Sequence, residues 1–410
     1  MRLTECAAFL CALTACAQTT IPAEAFWDTL PTLTFSTGLA AFWDVGGRDK
    51  EAHMQCAAAH GFKTVGLLNT YTDYIGHKKE SIHPDPRNPW KKPPFFEKIV
   101  CRNSAQIAAT RDLFVHDIEF HFEENLEPLW QDPELRAASG ATTFEAFQEA
   151  YYQAWATWFT DPCIWAKKIR PAMAIGIYGP QPFRRDYWGV SGGTAQQIDG
   201  THKTDAQLYR SIAPHVDFCI ASIYCFYDTP GSVYYMAANV EENAQRMATF
   251  AGKKPVYAYT WLRYHDSNKK LAGQELAPYL VEAMAILPYF CQAKGVVLWG
   301  WEPKTGPTYT NLPLFMKSLE RVARISGPLS RATPDNTEPV YVCWKEKRPI
   351  VRTMKISDTE WYVAAINPNQ AENASSTVDV TCKTNTYTVP LHGKHVALFQ
   401  IAKGILTELH

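Results

Sequence analysis

Between residues 34 and 303, short and almost continuously apolar runs alternate with stretches of helical character, a rhythm that few folds accommodate. The runs fall at 39–45, 64–69, 113–119, 172–178, 216–224, 255–261 and 295–301. Each is apolar on both faces, as in a parallel sheet that is covered on either side. Among the helical stretches, 50–60 is Ala-rich and stops at Gly61, and 144–169 is long, aromatic and closed by Pro171. Two more lie at 232–250 and 277–293, with Pro278 tolerable in a first helical turn. Alternation over this length predicts an α/β fold, a TIM-like (β/α) barrel with seven strands.

Three stretches break the rhythm at the carboxyl ends of strands: 77–94, 184–203 and 263–273 read as loops. A barrel builds its site from loops at that end. After Pro303 a helix at 312–325 leads through Gly327-Pro328 and a polar linker to a tail of different character. There, β-rich runs at 339–344, 360–367, 376–381, 386–390 and 396–401 are separated by Asn, Asp, Gly and Pro. The expected organisation is a barrel domain over 18–330 and a small all-β, sandwich-like accessory domain over 338–410.

Charge narrows the function classes. The chain of 410 residues carries 40 Lys and Arg against 41 Asp and Glu, so nothing electrostatic draws it to nucleic acid. Aromatic residues reach 13%, with 13 Trp and 20 Tyr, enough to line a cleft with flat faces that suit sugar rings. At the amino terminus, Arg2 precedes an apolar run from Cys6 to Leu13 and then Thr14-Ala15-Cys16-Ala17. This reads as a signal peptide over 1–17. Leu13-Thr14-Ala15-Cys16 fits a lipoprotein signal that would leave Cys16 lipidated, and Ala15-Cys16-Ala17 fits cleavage to a soluble product. The expected location is therefore secreted or periplasmic, or anchored at the cell surface through a lipid on Cys16.

Eight cysteines follow that segment, none in C-x-x-C spacing, which argues against a zinc ribbon or a thioredoxin motif. An exported chain could pair some of them. Cys219, within an apolar strand pattern, reads as a packed residue.

The strongest chemical signal is Val115-His116-Asp117-Ile118-Glu119. Asp117 and Glu119 stand two apart on a strand and so point to one side, which at a strand's carboxyl end is the barrel mouth. Neighbouring carboxylates raise each other's pKa, so one can hold a proton while the other stays ionised. Tyr178, Tyr224, Tyr259, Trp299 and Trp301 end other strands, offering hydroxyls and ring faces to a substrate. Glu302 is a further acid there, a substrate contact or a nucleophile. Trp43-Asp44 could reach the mouth or cap a loop. His116 and His121 flank the acids without metal-ligand spacing, so neither metal nor cofactor is expected.

At these residues the chain resembles the hyaluronidase family of glycoside hydrolases. Val115–Glu119 is similar to its apolar strand ending in Asp-x-Glu. Ile169-Arg170-Pro171 with Ile175-Gly176-Ile177-Tyr178 is similar to its Arg-Pro helix end and the following Gly-Tyr strand. Ser222-Ile223-Tyr224, Pro255-Val256-Tyr257-Ala258-Tyr259-Thr260 and Gly295-Val296-Val297-Leu298-Trp299-Gly300 follow in the same order. The resemblance spans about residues 36–303 and implies a seven-stranded barrel. It also implies a retaining, substrate-assisted glycosidase acting on β-linked N-acetylhexosamine, in a glycosaminoglycan or related glycan. Glu119 would then be the acid/base and Asp117 the group that orients the acetamido substituent. Tyr178, Tyr224 and Trp299 would line the catalytic subsite. The chain departs from that family after Glu119, where Phe120-His121-Phe122-Glu123-Glu124 replaces a basic triplet.

Three readings follow. The first is the substrate-assisted glycosidase. The second is a conventional retaining glycosidase using Glu119 with Glu302. The third is a non-catalytic carbohydrate-binding surface protein. In all three the partner is a glycan and the chain a monomer.

Overall fold

The computed structural model describes residues 27–47, 50–75, 78–81, 84–93, 96–105, 111–120, 122–182, 194–252, 254–302, 310–336 and 338–410. The signal-peptide segment and Cys16 lie outside these residues, as do His121 and most of the 184–194 stretch.

In chain order the first elements are β1 (Ala40–Gly47), α1 (Lys50–Ala59), β2 (Lys63–Asn69), the hairpin β3 (Thr72–Ile75) with β4 (Lys78–Ser81), and α2 (Phe96–Ala105). Next come β5 (Leu113–Asp117), the short α3 (Glu127–Trp130) and α4 (Pro133–Ser139), α5 (Phe144–Ile169), β6 (Ala174–Tyr178) and α6 (Ala195–Ile212). The barrel part ends with β7 (Cys219–Ser222), α7 (Pro230–Ala251), β8 (Val256–Thr260), α8 (Pro278–Phe290), β9 (Gly295–Glu302) and α9 (Leu312–Leu329).

All seven expected strands are present and form one parallel sheet in the order β6-β5-β2-β1-β9-β8-β7. The seam between β6 and β7 is closed by Asp217 and Phe218, through one backbone bond and their side chains. Asp217 donates its backbone N–H to the Ile175 carbonyl at 2.7 Å, and its Oδ2 accepts from Ile175 N at 2.8 Å. The Phe218 ring fills the remaining space against Gly176, where a β-carbon would stand 2.2 Å from it. The result is a seven-stranded barrel, nearly closed, with a core of buried apolar residues running from the strands into the helices.

Three expected elements change identity. The 77–94 stretch is not all loop, because it holds β4, paired antiparallel with β3. Residues 184–203 do not form a single loop, because α6 begins at Ala195. Thr194 caps it, accepting from Gln197 N, while the Gln197 side chain accepts from Thr194 N, so two amides that helix start leaves unpaired are satisfied. The expected strand 339–344 is instead a short helix, α10 (Val340–Lys345). The buried Glu241 on α7 accepts from Val340 N at 2.9 Å, and Val340 and Cys343 are buried at helical spacing.

The remaining strands are β10 (Thr333–Pro334), β11 (Ile350–Ser357), β12 (Glu360–Ile366), β13 (Ser375–Cys382), β14 (Asn385–His392), β15 (Ala397–Ala402) and β16 (Ile405–Glu408). They form an antiparallel sheet, β10-β11-β12-β15-β16, and a hairpin, β13-β14. Strand alternation divides that sheet's two faces. Tyr362, Ala364, Ile366 and Leu398 join the barrel core, whereas Trp361, Val363, Phe399 and Ile401 pack with Val389 and Leu391 of the hairpin. Arg352 of β11 meets Glu241 of α7 in a buried ion pair, Nε to Oε1 at 3.2 Å. The eight described cysteines are all free thiols, and Cys219 is packed in the core. Among the described residues no helix is long and apolar enough to cross a membrane.

Candidate active site

β5 delivers the acids. Its ladder ends at Asp117, paired in register with Asn69 of β2 and Tyr178 of β6. One more backbone bond, from Ile118 N to the Tyr178 carbonyl at 3.0 Å, keeps the chain extended past the strand end. Ile118 is buried on the outer side, and the side chains of Asp117 and Glu119 both line a cavity at the mouth. Glu119 therefore sits just beyond the strand, exposed, and Asp117 half-buried below it.

The cavity measures about 150 Å³ and is lined by Leu67, Asp117, Glu119, Tyr178, Tyr224, Tyr259, His265 and Trp299. Six sequence-selected residues thus converge: Asp117, Glu119, Tyr178, Tyr224, Tyr259 and Trp299. Trp301 and Glu302 occupy β9 opposite Gly46 and Gly47 of β1, and their side chains lie outside the described residues. A larger hollow of about 290 Å³ lies beside α8, α9 and the C-terminal sheet. Its polar groups are engaged with one another, His395 with Glu282 at 3.0 Å and Arg321 with the Val396 and Leu409 carbonyls.

Electrostatics distinguish the acids. Burial, reinforced by the charge of Glu119, pushes Asp117 from 3.8 up to about 7. Its Oδ1 is shielded from solvent and has no hydrogen-bond partner among the described residues. A second carboxyl, Asp44 on β1, is 7% exposed and accepts from the Tyr259 hydroxyl at 3.0 Å. Burial raises it to about 7 as well, against Lys50, Tyr259 and Arg111, which lower it, while Asp117 raises it. Asp44 lies inside β1 and not at a loop, so it caps none; it sits behind the cavity wall, bonded to the Tyr259 that lines it.

The aromatics form one wall. The Tyr178 and Tyr259 rings lie 5.4 Å apart, those of Tyr224 and Trp299 5.7 Å, and Trp261 stands edge-on to Trp299 at 5.0 Å. The Tyr178 hydroxyl shares a hydrogen bond with Ser222 Oγ at 3.1 Å. Burial, helped by nearby carboxylates, raises the phenols of Tyr178, Tyr224 and Tyr259 well above their ordinary range. They stay protonated; Tyr259 spends its proton on Asp44, and Tyr178 and Tyr224 keep theirs to donate.

His265 is the lining residue that the sequence did not single out. It belongs to the 263–273 loop, but a lone histidine in a polar loop carries no spacing signal. Its ring stacks on Phe226 at 4.5 Å and on Tyr224 at 5.9 Å. Nδ1 accepts from Ser267 N at 3.2 Å, which leaves the proton of the neutral ring on Nε2. Burial lowers its pKa, so the neutral donor form is favoured. His116 faces away from the mouth: it is fully buried, bonded to Thr70 Oγ1 at 2.7 Å, and held neutral with a pKa of about 3 by burial.

Among the described residues, no group of His, Cys, Asp and Glu has the arrangement of a metal site. The site can instead move a proton, accept a buried N–H and stack a sugar.

No protein-family model and no curated protein sequence matches the chain. Solved structures do. The exo-carrageenase of Bacteroides ovatus aligns with a TM-score of 0.51 at 9% identity, over 92% of this chain and 87% of that one. The likeness is one of fold, a barrel followed by C-terminal β-structure. Further similar structures are the bee venom hyaluronidase in complex with a hyaluronic acid tetramer (TM-score 0.39, 16% identity, 64% of this chain and 90% of that one) and an endo-β-1,4-mannanase of Thermotoga petrophila (0.41, 10%, 86% and 79%).

Proposed function

We infer that the chain is a retaining glycoside hydrolase that cleaves β-linked N-acetylhexosamine glycans with the substrate's own acetamido group as nucleophile. The observation that carries this reading is the Asp117–Glu119 pair in an aromatic-walled cavity, with a buried oxygen of Asp117 left without a donor. A buried acceptor of that kind calls for a hydrogen bond, and an acetamido N–H supplies one. The resemblance of 115–119 to the hyaluronidase Asp-x-Glu strand supports the same assignment.

Ionised Asp117 accepts from the acetamido N–H and directs its carbonyl oxygen at the anomeric carbon. As that C–O bond forms, the glycosidic C–O bond breaks, and the leaving oxygen takes the proton of Glu119. Water then attacks the anomeric carbon, gives its proton back to Glu119 and opens the ring, with overall retention. Ionising both adjacent carboxyls is costly, so the pair holds one proton; the acetamido N–H stabilises the Asp117 anion in the complex and leaves that proton on Glu119. Tyr178 donates to a sugar oxygen, the Tyr259 oxygen, whose proton is held by Asp44, accepts from a sugar hydroxyl, and the Trp299 face receives the ring. The basic triplet that follows the Glu in the resembled family is missing after Glu119, and Glu123 and Glu124 stand close by in sequence, which favours an uncharged glycan over a uronate polymer. In this reading the enzyme is exported as a monomer, with 1–17 as its signal, Cys16 as a lipid attachment point, 18–330 as the catalytic domain and 338–410 as an accessory.

A stable thiazoline that mimics the cyclised intermediate tests the mechanism. Strong competitive inhibition, far tighter than substrate binding, is expected. Hydrolysis of sugars without an N-acetyl group, unaffected by the thiazoline, would instead mark a two-carboxylate enzyme.

A further inference from the structure

Asp44 is buried at the level of the cavity: it pairs in register with Trp299, which lines the wall. Its Oδ2 holds the Tyr259 hydroxyl at 3.0 Å, tying β1 to β8 past the intervening β9. An asparagine could accept that bond without the cost of burying an ionisable group. The carboxyl therefore adds its charge and its proton. The charged and titratable groups acting on it are Lys50 of α1, Arg111 just before β5, Tyr259 and Asp117 itself. Lys50 and Arg111 favour its anion, and Asp117 opposes it.

We propose that Asp44 is a positioning residue of this site, a third carboxyl group that anchors the Tyr259 hydroxyl at the cavity wall and is electrostatically coupled to Asp117. Its role in turnover rests on the glycosidase reading; the coupling does not. When Asp44 is ionised, the anion of Asp117 is disfavoured, and when Asp44 is neutral, Asp117 ionises and can accept the substrate N–H. The two protons leave in steps that belong to the cluster.

The test is a carboxyl-carbon NMR titration of residues 18–410 as wild type, Asp44→Asn and Asp117→Asn. The Asp117 midpoint is expected to fall by about one pH unit in Asp44→Asn, the size at which two sites count as coupled. The Asp44 midpoint should fall similarly in Asp117→Asn. Asp117 titrating at the same pH in wild type and Asp44→Asn overturns the proposal. Turnover gives an independent readout: the acid limb of kcat/KM should move to lower pH in Asp44→Asn, which a merely structural residue would not cause. Asp44→Ala, which also frees Tyr259, should raise KM as well. A wild type that cleaves no glycan would remove the glycosidase reading and leave the NMR outcome to decide the role of Asp44.

Discussion

Gly179 follows β6 with a φ of 119°, and a β-carbon there would stand 2.0 Å from the Ile118 carbonyl oxygen. The residue beyond that carbonyl is Glu119, whose Cα would lie 3.5 Å from the added atom. A bare backbone at 179 thus lets the β5 extension lie against β6 and sets where the Glu119 side chain projects. Gly179→Ala combines a left-handed backbone with a backbone clash. It should cost about 1–3 kcal/mol of stability and lower kcat by more than it raises KM. Denaturant unfolding beside steady-state kinetics checks both.

Burial of Asp44 and Asp117 makes stability fall as pH rises. Each carboxyl is raised from 3.8 to about 7 on folding, so between those values the folded chain holds protons that the unfolded chain has released. The contribution is fully present below about pH 4 and gone above about pH 7. Asp44→Asn removes one such group. Relative to wild type it should gain on the order of 2–4 kcal/mol between pH 4 and pH 8, read from urea midpoints across that range. A difference independent of pH would contradict the burial account.

His265 offers a neutral Nε2 donor at the cavity, with its ring fixed between Phe226 and Tyr224. His265→Ala should raise KM about tenfold, the value of roughly one hydrogen bond, and leave kcat within a few-fold. His265→Gln should recover part of that loss. An unchanged KM would place the residue outside the substrate's reach.

The contact between Arg352 and Glu241 lies wholly inside, with side-chain exposures of 2% and 5%. Glu241 also accepts from Val340 N, so one carboxylate holds both β11 and the start of α10 to α7. Glu241→Ala should destabilise by about 3–5 kcal/mol, because it leaves a buried guanidinium unpaired. A loss below about 1 kcal/mol, as at exposed pairs, would show that water reaches the site.

The barrel was legible because its strands are buried on both faces: continuous apolar runs such as 113–115 and 295–298 leave little choice of structure. The Asp117–Glu119 pair was legible for a related reason, since acids that close an apolar strand need an open mouth to face. Asp44 was ambiguous because Trp-Asp suits both a strand end and a loop cap, and the bond from Tyr259, 215 residues away, decides it. α6 was hidden by a polar surface and Gly200, although Thr194 and Gln197 carried its capping signal. At 339–344, β-favouring residues lost to a tertiary contact with Glu241, which rewards the helical turn.

Hydrolysis itself tests the central claim most directly. Residues 18–410, as wild type and as Glu119→Gln, are incubated with chitin-type, neutral, chondroitin and hyaluronan oligosaccharides, and new reducing ends are identified by mass spectrometry. Cleavage after an N-acetylhexosamine by the wild type, lowered at least about 10³-fold in a folded Glu119→Gln, is the predicted result. Equal cleavage by both proteins, or none by either with a glycan still bound, would contradict it.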